Sequence, residues 1–264
     1  MPNWVTAKLT ISGENSEKVL KQFLTEDEDG ELRFDFNKIL PMPKELEIIS
    51  GTTTDRAVEL YLTSINPDIK YFGEHKVEKT VLQNITNLAN SSKSFTKYRN
   101  DLAKDEIKKL KPLFIGDGLL SDKQIIEYGR KAVDNVMKHN AMDWYDWSVK
   151  NWNTKWNACH TIFDEKTPNM ICFDTAWSDV RGLIQKLSKK FPTNTFEYSY
   201  SEEQVGLYTG VAEYKNGKML QDIEYADQSK EAYELAFDLW GEDLKEDFKF
   251  DEKANTYKYV DDEM

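Results

Sequence analysis

Apolar and polar residues alternate at the start of the chain, so that Val5, Ala7, Leu9 and Ile11 fall on one side of an extended segment that Gly13 closes. The spacing then becomes helical: Val19, Leu20, Phe23 and Leu24 form one stripe, with Asn15 or Ser16 at the capping position. After the acidic turn Glu26-Asp27-Glu28-Asp29-Gly30, Leu32, Phe34 and Phe36 alternate again and predict a half-buried second strand. Pro41 and Pro43 withhold backbone donors and hold their preceding residues out of helical geometry, which predicts a stiff, extended exit.

From about Thr54 to Met142 the period is near that of a helix and no strand is evident. Val77, Val81, Ile85 and Leu88 make one stripe, and Phe95, Tyr98, Leu102 and Leu110 a weaker one. Ile125, Ile126, Val133, Val136 and Met137 make a third, opened by Ser121 and Gln124 at capping-box spacing. Strands return with Cys159 to Phe163 and Met170 to Phe173, joined by a loop of hairpin composition. Ser178 is placed to cap a helix whose buried side is Val180, Leu183, Ile184 and Leu187. Phe196, Tyr198 and Tyr200 alternate as a strand, Val205, Leu207, Thr209 and Val211 as another, and Asn216-Gly217 is a hairpin turn. A last helix with Tyr233, Ala236, Phe237 and Trp240 on one face stops at Gly241, and the tail beyond is either a frayed end or a docked hairpin.

The pattern predicts an α+β fold of the split-βαβ, ferredoxin-like kind: an antiparallel sheet with a helical insertion and a C-terminal helix plus acidic tail. Residues 1–50 and 144–226 are expected to form its two halves, 51–143 the insertion, and 227–264 the acidic helix and tail.

Charge changes the picture mainly at the C-terminal end. The chain of 264 residues has a net charge of -12, and residues 201–264 hold 7 Lys/Arg against 18 Asp/Glu. Such a field discourages nucleic-acid phosphates there and favours basic partners, unless it serves solubility alone. No apolar run long enough to span a membrane and no secretion signal is evident, so a cytoplasmic protein without a membrane partner is expected. Cys159 and Cys172 share one expected hairpin and are read as reduced, buried thiols, although they could face each other across it.

Several unusual words recur in a known order: Met1-Pro2-Asn3-Trp4, Leu9 to Gly13, Phe36 to Pro43, Asn151 to Ala158, and Phe173 to Ser178. In these the chain resembles the YubB ferredoxin-like family, proteins of uncharacterised function carried by bacteriophages and plasmids. The resemblance implies a ferredoxin-like part ending near residue 226 and offers no activity to transfer. Asn153 stands where the family usually has Gly, and Asn tolerates a left-handed backbone, so the turn survives. Val5 and Ala7 replace a frequent Cys and Asn, which removes support for a thiol function on the first strand.

Five of the seven tryptophans lie between Trp144 and Trp177. This concentration is either a packed junction or a recognition surface, since Trp supplies both core area and interface anchors. As a surface it would use Trp144, Trp147, Trp152, Trp156 and Trp177 as rings, Lys155 as a cation, and Asn37, Lys38, Asn157 and Asp174 as a polar rim. The ends of the expected strands would bring Asn37-Lys38 and Asn151 to Asn157 into one site, closed by Asp174 to Trp177.

His75, His139 and His160 are scattered and the cysteines lack paired spacing, so no metal is expected. His160 follows Cys159 directly, which in a regular strand places them on opposite faces and denies them a dyad. No phosphate-cradling loop is present, Gly116-Asp117-Gly118 being a plain turn, and no catalytic residue or cofactor is indicated. The expected role is that of an accessory protein that binds a host macromolecule, a protein of host defence or of nucleic-acid handling. A nucleic-acid or nucleotide binder using the tryptophans is the alternative, and an enzyme of unrecognised type a third.

Overall fold

The computed structural model describes residues 2–26, 30–65, 71–72, 75–76 and 122–260. The chain divides into two compact units, Met1–Pro41 with Ser148–Met264, and Met42–Trp147. Strand β1 (Trp4–Ser12), helix α1 (Ser16–Lys21), strands β2 (Leu24–Glu26) and β3 (Leu32–Phe34), and helix α2 (Phe36–Ile39) open the chain. Next come α3 (Thr52–Ile65), the short strands β4 (Tyr71–Phe72) and β5 (His75–Lys76), α4 (Asp122–His139) and α5 (Trp144–Trp152). Then β6 (Cys159–Phe163), β7 (Met170–Ala176), α6 (Arg181–Lys190), β8 (Thr195–Glu202), β9 (Thr209–Lys215), β10 (Lys218–Glu224) and α7 (Lys230–Trp240) lead to the hairpin β11 (Phe248–Asp251) and β12 (Thr256–Tyr259).

The first unit is built on a six-stranded antiparallel sheet in the order β10-β9-β8-β1-β7-β6. Its part β8-β1-β7-β6 is the ferredoxin-like arrangement, in which the first strand lies between the third and fourth and the second lies outside the third. The second strand is therefore β6. Leu32 to Phe36, expected in that place, instead pairs with β2 in a separate two-stranded hairpin and ends at Phe34. Phe36 begins a helix because the Asp35 side chain accepts a hydrogen bond from Asn37 N and caps it.

The alternation of β1 separates the two faces of this sheet. Val5, Ala7, Leu9 and Ile11 share one face with Ile171, Phe173, Phe196, Tyr198 and Tyr200, and none of these nine is more than 2% exposed. Leu183, Ile184 and Leu187 of α6 are buried on this side, and each large apolar side chain so buried contributes about 1.5–3 kcal/mol. Trp4, Thr6, Lys8 and Thr10 point to the outer face, where Lys8 pairs with Asp238 of α7. Tyr233 and Phe237 of α7 pack with Tyr257 and Phe248, so the tail is a docked hairpin forming its own small sheet. Asn216 and Gly217 both have positive φ, 50° and 72°, the left-handed pair that the expected β9–β10 turn requires.

Other expectations shift locally. Ser178 does not cap α6; Asp179 Oδ1 accepts from Arg181 N at 2.7 Å, one residue closer to the helix. Val205 and Leu207 precede β9 in a turn. Cys172 stands opposite Ile162 and Cys159 opposite Asp174, so the cysteines do not face each other, and both are half-buried free thiols.

In the second unit, Val58 and Leu62 of α3 pack with Ala132 of α4 and with Met142, flanked by half-buried Val133 and Val136. Met137, expected on that stripe, is 78% exposed. A Cβ at Gly129 would stand 2.0 Å from the Ala57 carbonyl oxygen, so the close approach of α3 and α4 requires glycine there. The strands β4 and β5 were not evident in the sequence. The stripes from Val77 to Leu110, the side chains of Ile125 and Ile126, the Ser121 cap and the Gly116-Asp117-Gly118 turn lie outside the described residues. Among the described residues no helix is long and apolar enough to cross a membrane.

Candidate functional site

The tryptophan-rich word divides between packing and surface. Trp152 ends α5 with 4% of its surface exposed; its Nε1 donates to the Leu40 carbonyl at 3.0 Å and its ring meets Phe36 edge-on. Thr154, buried, both donates to Ala176 O and accepts from Ala176 N, each at 3.0 Å. Between them Asn153 holds φ 67°, and its side chain donates to Asp179 O. Asn157 Oδ1 accepts from Phe36 N at 2.8 Å while its Nδ2 donates to Asp35 Oδ1 at 2.7 Å. The amides thus serve backbone groups that packing would otherwise leave unpaired.

Asn37-Lys38 follow directly on Asp35 and Phe36, whose contacts with Trp152 and Asn157 are packing contacts. Lys38 Nζ donates to Leu24 O at 2.5 Å, and Lys190 of α6 donates to the carbonyls of Lys38 and Ile39, on the helix side of the sheet. Lys155 turns the other way. Its ammonium lies 4.4 Å from the centre of the Trp156 ring and 5.1 Å from that of Trp177. Trp156 in turn contacts Trp4, a residue of the outer face, at 6.1 Å. The single site expected around both lysines is corrected accordingly: Lys38 and Lys155 serve different faces.

What remains is a patch of Trp4, Lys155, Trp156, His160 and Trp177, joined to Asp174. His160 Nδ1 is 2.8 Å from Asp174 Oδ2, the other carboxylate oxygen accepts from Thr6 Oγ1 at 2.5 Å, and the imidazole meets Trp4 edge-on at 5.1 Å. His160 escapes the strand alternation because the β6–β7 register shifts between Cys159 and Ile162 and His160 takes φ 44°. Trp177 also has a left-handed backbone, φ 73°, is 44% exposed, and donates its N–H to Asn3 O. Bulky residues rarely adopt this conformation, and two in one patch mark stored strain.

The thiol next to this patch is not activated. Burial pushes the Cys159 thiol above its usual range, with Asp174 adding to the shift and Arg33 opposing it, which leaves little thiolate for nucleophilic chemistry. Cys172 is raised by burial as well.

A second polar cluster escaped the sequence reading. Asp179, buried, accepts from Arg181 Nε at 3.0 Å and from the Tyr208 hydroxyl at 2.6 Å. Arg181 also reaches Asp222 at 2.8 Å and Glu224 at 3.3 Å, and stacks over Tyr200 at 4.8 Å. Burial raises the phenols of Tyr198, Tyr200 and Tyr208, and pushes Tyr214 up to about 12. The two pairs, Asp179 with Arg181 and Asp222 with Glu224, lie far apart in the sequence, and no local pattern joins them.

Trp144 and Trp147 belong to the second unit. Trp144 is half-buried against Tyr145, and Trp147 is buried. Asp143 caps α5 by accepting from Tyr145 N and Asp146 N, and burial raises its carboxyl.

Comparison with known proteins gives a family model described as a ferredoxin-like domain in Api92-like protein, which matches residues 151–243. A crystal structure of a protein api92 from Yersinia pseudotuberculosis aligns with 86% of this chain and 99% of its own at 12% identity and a TM-score of 0.39. No curated protein matches. Residues 151–243, from the end of α5 through β10 and α7, are thus similar to the Api92-like domain, and the antiparallel sheet that they complete with β1 is ferredoxin-like.

Proposed function

We propose that this chain is an accessory protein of a mobile genetic element and works in the bacterial cytoplasm by binding a host protein. The partner in this reading is a protein of host defence or of nucleic-acid handling. The words shared with the YubB family of phage and plasmid proteins support the first half of the proposal.

One observation carries the second half: an exposed Trp177, held in a strained backbone, shares a lysine ammonium with Trp156. Tryptophan flanked by a cation is a common anchor of protein interfaces, and strain persists where a function keeps it. Exposed acidic side chains along α7 and the segment after it, Glu231, Glu234, Asp238, Glu242, Asp243, Glu246 and Asp247, favour a basic partner.

The test is affinity capture from bacterial host lysate with the full-length chain and with Lys155→Ala and Trp177→Ala, each checked for folding. A partner held by the parent chain and lost from both variants is expected. Equal capture by all three, or no partner, contradicts the reading. Titration with labelled single-stranded oligonucleotides supplies the rival outcome: binding at low salt that weakens steeply as salt rises would assign the patch to nucleic acid.

A further inference from the structure

Between α7 and the outer face of the six-stranded sheet runs an open groove of about 360 Å³, inside the range of small-ligand sites. Half-buried Val211 of β9 and Leu235 of α7 supply its apolar lining. Lys8 also lines it, with its ammonium taken up by Asp238. The remaining charges are two carboxylates.

Glu197 of β8 and Glu213 of β9 stand directly opposite each other in the antiparallel register, so their side chains leave the sheet on the same face, and both line the groove. Ser199 and Val211, the next pair along that face, lie beside them. Like charges set opposite each other across a ladder destabilise it. Nothing described on the chain relieves this pair: Glu197 accepts one long hydrogen bond from Ser12 Oγ at 3.4 Å, and among the described residues neither carboxylate has an ion-pair partner. The groove therefore joins an unneutralised negative pair to an apolar lining, the complement of a cation on an aliphatic stem.

A guanidinium suits this arrangement better than an ammonium. Its planar fork donates to two carboxylates at once, and the methylenes behind it can lie along Val211 and Leu235. We propose that the groove takes an arginine side chain of the partner protein, held between Glu197 and Glu213. The proposal rests on the reading of the chain as a binder of a basic protein, and it uses none of the residues of the aromatic patch.

The probe is N-acetylarginine amide, compared with its neutral isostere N-acetylcitrulline amide at the same ionic strength. In amide spectra of the nitrogen-15-labelled full-length chain, the arginine compound should produce saturable shifts at Ser199, Val211, Glu213 and Gln221, and the citrulline compound none. Glu213→Gln and Glu197→Gln should each weaken arginine binding about ten-fold, the size of one lost charge-assisted hydrogen bond. Glu165→Gln, which removes an equal charge from the exposed β6–β7 loop, should change it by no more than about two-fold, because solvent screens distant charges. Neither groove variant should lower the melting temperature, since each relieves the opposed pair. No saturable shift in the groove, equal shifts from citrulline, equal weakening by Glu165→Gln, or a lower melting temperature in both groove variants overturns the proposal. Because the probe is a single amino acid, its failure leaves capture of a partner through the aromatic patch unaffected, and failed capture leaves the probe result standing.

Discussion

Lys155 and Trp177 meet across the end of the sheet, the lysine ammonium 5.1 Å from the centre of the indole, while Trp177 itself holds φ 73°. The left-handed conformation costs a non-glycine residue roughly 1–2 kcal/mol. Its N–H is retained by Asn3 O at 2.8 Å, so the turn is fixed by the backbone and the ring is left 44% exposed. Four residues before Trp156 in the same word, Trp152 does the opposite and anchors the core.

The two tryptophans should therefore separate cleanly in denaturant melts. Trp152→Ala removes a buried ring and the donor to Leu40 O, and should cost about 3–5 kcal/mol. Trp177→Ala should change stability by about 0.5 kcal/mol or less, because it gives up a partly exposed contact. Equal losses at both positions would mean that Trp177 is a packing residue.

Asn157→Asp tests the junction between α2 and the tryptophan word. The substitution replaces the amide that donates to Asp35 Oδ1 with a second carboxylate at the same place. A loss of about 1–3 kcal/mol is expected at neutral pH, where two carboxylates face each other. Chemical denaturation measures it, and unchanged stability would show that the hydrogen bond to Asp35 contributes nothing.

Where local pattern decides structure, the sequence is legible. The alternation of Phe196, Tyr198 and Tyr200 identifies β8, and the Asn216-Gly217 pair identifies its neighbouring hairpin turn. Leu32, Phe34 and Phe36 alternate equally well, yet alternation carries no information about which strand is the partner; the true second strand, β6, lies beyond the insertion. Asp35 and Asp143 stand at capping positions, the local signal that marks Phe36 to Ile39 and Trp144 to Trp152 as helices. The patch was half visible. Lys155, Trp156, Asp174 and Trp177 belong to the words that drew attention, whereas His160 joins them through a register shift that no local pattern announces.

The buried tyrosines set the alkaline limit of the fold. Tyr198, Tyr200, Tyr208 and Tyr214 all have phenols raised by burial, Tyr214 to about 12. Above the usual phenol range near pH 10, the unfolded chain releases protons that the folded chain retains. Stability is therefore fully present below that range and is lost as pH rises through it toward the folded values. Phenolate absorbance followed with circular dichroism should show this group ionising together with unfolding. Complete ionisation of all 13 tyrosines with the fold intact would contradict the burial.

The account stands most directly on whether Trp177 touches a partner in the cell. A photo-cross-linking amino acid placed at Trp177, and separately at exposed Lys253 of the β11–β12 hairpin as a control, should be irradiated in the living bacterial host. A discrete protein adduct from position 177 that is absent from position 253 is predicted. No adduct at 177, or the same adducts from both positions, would contradict a recognition role for the Lys155–Trp156–Trp177 patch.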